Sequence, residues 1–325
     1  MADVFAYLEG FGASGGSPNK STIIVTAPTG STVTCKMGST TKTATEKNGV
    51  WTFGGLDLGT WTITSTKGGD SATQDVAITR LTVEYVTIVY RVTPEFTYTG
   101  DYAIVDDSDN PISDFANWKN NWKIRFLTSG TFTVTKLNGW NGQLDVFLVG
   151  GGGNGETIRG ARGGGGGYTK TVKGVSIAIA TPYTVTIGAS SGTSSAFGVS
   201  ANGASGADGG SGGGGGGNSS GTSGNGGSNG GNGTAGNVSN GGTGQGTTTR
   251  EFGESTGKLY SGGGGGSAAY AGAAGDSTAG AGANFGGAAK NGVANTGGGG
   301  GAAYSGTAGR GGSGIAIIRN ARGAA

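Results

Sequence analysis

Through the first third of the chain, apolar and β-branched residues alternate with polar ones in short runs: STIIVTA, STVTCKM, TKTATEK, VWTF, TWTITSTK, DVAI and VEYVTIVYRV. A period of two sustained over about four to eight residues predicts half-buried strands. Turn signals separate the runs at Pro28–Gly30, Asn48–Gly49, Gly54–Gly55, Leu58–Gly59 and Gly68–Asp70. Seven short strands so spaced predict a small β-sandwich over residues 21–92, with Trp51 and Trp61 in its core. The lead of residues 1–20 carries Phe5, Tyr7, Leu8 and Phe11 as its apolar content. That is too little to fold alone, so those four residues are read as candidate attachment or assembly contacts.

From Pro94 the pattern changes. FTYTG, YAIVDD, WKIRFLTSGTFTVTKL and QLDVFLVGGGG predict further strands, the last of them strongly apolar and running directly into glycines. GYTKTVKGVSIAIA and PYTVTIG add two more. Far downstream, GSGIAIIRN predicts a buried strand that must join a sheet formed before Gly188. Residues 93–187, closed by 314–320, therefore read as a second β-sandwich framework with 188–313 inserted and 321–325 as a tail. The fold class is all-β.

The insertion repeats. Stepping by three from Gly203 to Gly215 and from Gly221 to Gly236, every position is glycine, and Asn218 alone breaks the series. Three residues per turn is the repeat of collagen and of polyproline-II-type helices. No proline follows Pro182, which leaves polyglycine II: extended helices packed side by side with glycine at each contact. Such a helix has no internal hydrogen bonds, so only a bundle offsets the cost of ordering it, about 1–2 kcal/mol per residue. As a single rod, residues 203–236 would reach roughly 105 Å at about 3.1 Å per residue, so a compact bundle needs several passes. Five-glycine runs also recur at 163–167, 262–266 and 297–301, followed after zero, three and two residues by Tyr168, Tyr270 and Tyr304. These rings are expected to cap the bundle edge or pack on the framework, with stacking on a sugar as the functional alternative.

Composition narrows the chemistry. Of 78 glycines, 16 lie in residues 1–149 and the other 62 in residues 150–325. The absence of histidine excludes a Ser-His-Asp triad and any histidine-ligated metal. The single Cys35 excludes an internal disulfide and a cysteine zinc site. With 21 basic and 19 acidic residues, no long-range field favours nucleic acid or an anionic membrane. The N-terminal stretch lacks a basic n-region and an apolar h-region, and no run approaches the roughly 20 apolar residues of a membrane span. An extracellular or virion location without a Sec signal is the expectation. No enzyme activity, cofactor, metal, nucleic acid or membrane insertion is expected.

Several motifs invite a sharper reading. Gly150–Thr157 fits a phosphate-loop spacing, but Glu156 stands where a lysine would meet the phosphates. Asp106, Asp107, Asp109 and Asn110 could offer oxygens to calcium, yet the spacing fits an Asx-type turn better. The segment TTTREFGESTGKLYSGG, residues 247–263, sets charged and aromatic residues into a neutral background. Arg250, Phe252, Lys258 and Tyr260 are the candidate receptor-binding residues there. The competing reading is a reversal packed back on the bundle.

The ordered series FTYTGDYAIVDD, NWKIRFLTSGTFTVTKLNG, LDVFLVGGGGNG, GGGGGYTKT and GGSGIAIIRN resembles the glycine-rich domain of phage and prophage tail or fibre proteins. Its polyglycine part is similar to the tip adhesins of T-even-like phages, in which packed polyglycine helices carry receptor-reading loops. The N-terminal module resembles transthyretin-like and Ig-like modules of bacterial surface and phage proteins. These resemblances imply a virion protein that binds a bacterial surface saccharide or outer-surface protein, assembled with other virion subunits as a homo-oligomer, a trimer among the options. The alternative is a purely structural role, as a capsid-decorating spike or filament subunit. A glycan depolymerase is a third class, disfavoured by the few acids of the insertion: Asp208, Glu251, Glu254 and Asp276.

Overall fold

A computed structural model describes residues 20–27, 29–67, 70–88, 93–118, 120–138, 140–158, 160–215, 223–227, 231–234 and 249–322. Phe5, Tyr7, Leu8 and Phe11 lie outside the described residues. The chain divides into two compact units, parting mainly at Thr93/Pro94, with the short stretches 116–119 and 138–140 grouped with the first. Among the described residues it is all-β, with two 3₁₀ turns and no α-helix.

The first unit has seven strands: β1 (Ser21–Thr26), β2 (Thr32–Met37), β3 (Thr40–Thr43), β4 (Val50–Leu56), β5 (Gly59–Lys67), β6 (Asp70–Ile78) and β7 (Val83–Thr87). They form a three-stranded sheet in the order β4-β1-β7 and a four-stranded sheet in the order β3-β2-β5-β6. The β1–β7 pair is parallel and the others are antiparallel. Alternation sends Ile23 and Val25, Val33 and Cys35, and Trp61 and Ile63 into one core with Trp51 and Phe53. Trp61 donates its indole N–H to the Asp57 carbonyl at 2.9 Å, so the buried ring keeps a partner. Asn48 and Gly49, both at positive φ, make the tight turn that the Asn-Gly pair predicts.

The second unit adds β8 (Glu95–Tyr98), β9 (Tyr102–Val105), β10 (Lys123–Phe126), β11 (Gly130–Lys136), β12 (Gln143–Val149), β13 (Thr169–Ser176), β14 (Tyr183–Val185), β15 (Ser194–Ala196), β16 (Val199–Ala201) and β17 (Ile315–Asn320). The main antiparallel sheet runs β13-β12-β17-β10-β9, and a second runs β14-β11-β8. The late strand β17 thus sits in the middle, pairing Ile317 with Phe147 on one side and with Arg125 on the other. Phe126 and Phe132 bring the two sheets together with ring centroids 5.5 Å apart, and Tyr98 and Phe197 pack beside them.

Where β12 ends at Val149, the chain passes straight into Gly150, and β13 and β17 are entered from Tyr168 and Gly314. Three neighbouring strands thereby continue as extended glycine passes. Each pass bonds to several others in turn. Along 163–167 the backbone N–H groups reach Gly214, Gly300, Gly206, Ser211 and Gly297. Donors three residues apart return to the same neighbour: Gly163 and Gly166 to the 211–214 pass, and Gly164 and Gly167 to the 297–300 pass. This is the threefold pattern expected of polyglycine II.

A Cβ added at Gly163, Gly164, Gly166 or Gly167 would fall onto a carbonyl of a further pass, namely Gly264, Gly153, Ser261 or Gly150. All faces of the run are therefore occupied, which is why every residue in it is glycine. The pass at 209–215 joins the lattice with Gly212 and Gly215 donating to Gly231 and Thr234. The period-three glycines do not run on as one rod, because Gly206 at φ 60° turns the chain.

Candidate functional site

The segment singled out in the sequence folds as a strap over the main sheet. Its 3₁₀ turn, Glu251–Gly253, is closed off by a bridge between Arg250, just before it, and Leu259, after it. Alternation along the strands dictates what lies beneath it. One face of β12 and β17 carries Leu144, Val146, Leu148, Ala316 and Ile318. The other carries Asp145, Phe147, Val149, Ile315, Ile317 and Arg319. Both sets are buried, so the second face needs a cover, and the strap provides it.

Phe252 and Tyr260 are 3% and 1% exposed and stand 5.8 and 5.4 Å, centroid to centroid, from Phe147. Phe252 reaches this position through a left-handed backbone, φ 55°, and the guanidinium of Arg319 lies 4.1 Å over its ring. These two rings therefore complete a hydrophobic core. The sequence offered both as candidate receptor contacts; here they cover the apolar face of β12 and β17. Arg250 is half-buried and donates to the Gly257 carbonyl at 3.0 Å. Of the four, Lys258 alone is exposed, with its ammonium 5.8 Å from the Tyr260 ring centroid.

Charge pairs fasten the strap. Glu251 meets Lys123 Nζ at 2.8 Å and Arg125 Nη2 at 2.9 Å, and accepts from the Tyr260 hydroxyl at 3.0 Å. Both cations also meet Asp109, at 2.7 and 2.6 Å. Arg319 bonds Asp145 at 3.0 Å and Glu254 at 2.7 Å. Burial, reinforced by the charge of Glu251, pushes the Tyr260 hydroxyl far above its ordinary value. Burial opposes the charged form of Asp109, yet Lys123 and Arg125 hold its carboxyl below the usual range. Arg319 does the same for Glu254. A polar cleft of about 490 Å³ opens beside the strap, lined by Asp107, Asp109, Glu254, Lys258, Arg319 and Arg322 among others.

The aspartate turn next to this cleft spends its oxygens on the protein. Asp106 accepts from the Ser108 and Asn110 amides at 2.9 and 2.8 Å. Asp107 pairs with Arg322. Among the described residues, no cluster of acidic or thiol groups is arranged to hold a metal.

A second feature lies at the end of the lattice away from the sheet. Four passes run outward: Gly150–Glu156, Ser261–Ser267, Thr278–Ala283 and Thr296–Ala303. Their reversals meet there. Thr157 bridges Ala303, Ser267 bridges Ala271, Ser267 donates to Ala161, and Ala283 donates to Ala302. At these apices stand Ile158, Tyr270 and Phe285, exposed to 60%, 67% and 72%. Tyr304 lies half-exposed beside Phe285 with centroids 5.0 Å apart. Asn284 and Ser305 accept from the Ala271 and Gly286 amides across the apices. The tyrosines that follow the glycine runs thus divide: Tyr270 and Tyr304 mark the far end, while Tyr168 stands at the opposite end, where the chain enters β13. The run-plus-tyrosine repeat signalled two of these residues, whereas Ile158 and Phe285 follow no repeat.

No match was found among curated proteins. The family model described as a glycine-rich domain matches residues 127–321, from the residue after β10 through the lattice and β17. That span covers the larger part of the chain, and the chain belongs to the glycine-rich domain family.

Proposed function

We propose that this is a non-enzymatic binding protein of a phage virion, which presents the far end of its glycine lattice to a receptor on a bacterial surface. The observation that carries the reading is the gathering of four lattice reversals at one end, with Ile158, Tyr270 and Phe285 left exposed there. Exposed apolar side chains gathered in one patch, unlike those scattered singly, mark interaction sites. The passes beneath are tied by backbone hydrogen bonds at about 2.7–3.0 Å, such as Gly164 to Gly300 and Gly264 to Gly164. Such a base holds the apices in place before contact, which lowers the ordering cost of binding. The resemblance to phage tail and fibre proteins supplies the biological setting. The first unit and the residues ahead of it are then the attachment to the particle.

Adsorption of the fluorescently labelled full chain to a panel of bacterial strains tests the reading. Saturable binding to a subset of strains is expected. Absence of binding to every strain, together with polymerisation of the purified chain, overturns it in favour of a structural filament or spike subunit.

A further inference from the structure

We propose that the open edge of β7 is the docking site of the chain's own leader, with Val4–Leu8 adding to the sheet as a strand antiparallel to β7. Among the described residues β7 pairs with β1 alone, and so it ends the order β4-β1-β7. Thr82 accepts from the Thr22 amide at 3.0 Å and Ile88 donates to the Thr26 carbonyl at 2.8 Å, so the even-numbered residues address β1. The amides of Val83, Tyr85 and Thr87 therefore face the open side. The same alternation sends their side chains to the outer face of the sheet. There Val83 and Tyr85 are exposed to 50% and 63%, with Leu81 ahead of them at 54%.

Such an edge is normally guarded by charge, proline or a bulge. The other edges of this unit follow that rule. β3 carries Lys42, β6 carries Asp70 and Asp75, and β4 slips register against β1 where Gly54 and Gly55 lie. β7 reads VEYVT, with no lysine, proline or glycine. An unguarded edge beside exposed apolar side chains calls for an occupant.

The leader qualifies by position, pattern and reach. β1 begins with Ser21, whose hydroxyl donates to the Arg80 carbonyl at 3.3 Å and accepts from the Thr82 amide at 3.2 Å. The chain thus enters β1 beside the start of β7, and a segment arriving there along the far side of β7 runs antiparallel to it. Two strand spacings, about 10 Å, separate the two positions. The nine residues 12–20 can span up to roughly 30 Å. Val4–Leu8 reads VFAYL, the same length as β7, and its alternation puts Phe5 and Tyr7 on one face. On the outer face of the sheet those rings meet Val83 and Tyr85 as cross-strand pairs. Tethering decides for this occupant over a second copy. The five residues of β7 are far fewer than the roughly 20–30 a side of a standard interface between separate molecules. A short link, by contrast, gives a tethered segment an effective concentration in about the millimolar range.

Hydrogen exchange on the full chain, read at single amides by nuclear magnetic resonance, tests the docking. In the wild type the Val83, Tyr85 and Thr87 amides should exchange slowly. In the full-length double variant Phe5→Ser, Tyr7→Ser those three should exchange at least about tenfold faster, with the Ile23 and Val25 amides unchanged. Tyr85→Thr, which keeps a strand-forming residue, should likewise release Val83 and Thr87. Excess unlabelled wild-type chain added to the isotope-labelled double variant should restore no protection, because docking is within one chain. Fast exchange of the three amides in the wild type, or equal protection in the wild type and the double variant, overturns the proposal. Protection restored by the unlabelled chain also overturns it and gives the edge to the leader of a second copy.

Discussion

Adding one methyl group in the middle of the lattice should be among the most damaging conservative changes in this protein. Gly164 donates to Gly300 and accepts from Gly264, both at 2.8 Å, and its missing side chain faces the carbonyl of Gly153. In Gly164→Ala the new carbon would need about 1 Å more room than it has, and its obstacle is backbone that cannot rotate away. Forcing the passes apart costs the roughly 1–3 kcal/mol of overpacking. It also strains two buried backbone hydrogen bonds, each worth about 0.5–1.5 kcal/mol net and more if a partner is left unpaired. The opposing gain, from a less flexible unfolded chain, is only about 0.4–1 kcal/mol. The expected result is a loss of about 3 kcal/mol.

Thermal unfolding followed by circular dichroism measures it. At about 2–4 °C per kcal/mol for a unit of this size, the midpoint should fall by roughly 6–12 °C. Gly287→Ala is the control, because its nearest obstacle is the Asn284 carbonyl at 3.3 Å. It should shift stability by less than about 0.5 kcal/mol, as surface changes usually do. A Gly164→Ala protein as stable as the control would refute the packed lattice.

Three further outcomes follow from the buried groups. Glu251→Gln leaves Lys123 and Arg125 with half their anionic partners and should cost about 3–5 kcal/mol, the usual penalty for breaking a buried pair, measured by urea unfolding. The Tyr98 hydroxyl is pushed up to about 12 by burial and by Asp101, and Tyr260 is raised further by burial and Glu251. The fold keeps both protonated where the unfolded chain ionises, so stability is full below about pH 10 and declines as pH rises beyond it; alkaline titration of tyrosine absorbance should show two late-ionising groups. Cys35, fully buried with its thiol raised to about 11, should resist iodoacetamide at pH 8 in the folded protein and react at once in urea.

The strands were legible because alternation and turn residues agree, as around Asn48–Gly49. So was the need for β17 to find a sheet, since Ile315, Ile317 and Ile318 could not remain in a glycine-rich background. The glycine runs announced the lattice: a pass with glycine at every position has neighbours on all sides, and one with glycine at every third position has fewer. The packing of the strap was not legible because its partners are remote. Glu251 meets Arg125 across 126 residues of sequence, and Phe252 turns inward through a left-handed backbone that its residue type does not announce. A sequence signal for it did exist. LDVFLV and IAIIR place apolar residues on both alternations, and a strand buried on both faces needs two covers. Phe285 gave no such signal, because its importance comes from where a reversal of 284–287 ends.

Under the proposed function, recognition belongs to the apices and not to the strap. Adsorption to a susceptible strain should be compared for the wild-type chain, for Tyr270→Ser with Phe285→Ser, and for Arg250→Ala with Lys258→Ala. The apex pair is expected to lose adsorption at least tenfold while the strap pair keeps it within twofold, all three proteins unfolding at the same temperature. Adsorption retained by the apex pair and lost by the strap pair would contradict it and return the binding site to residues 249–260.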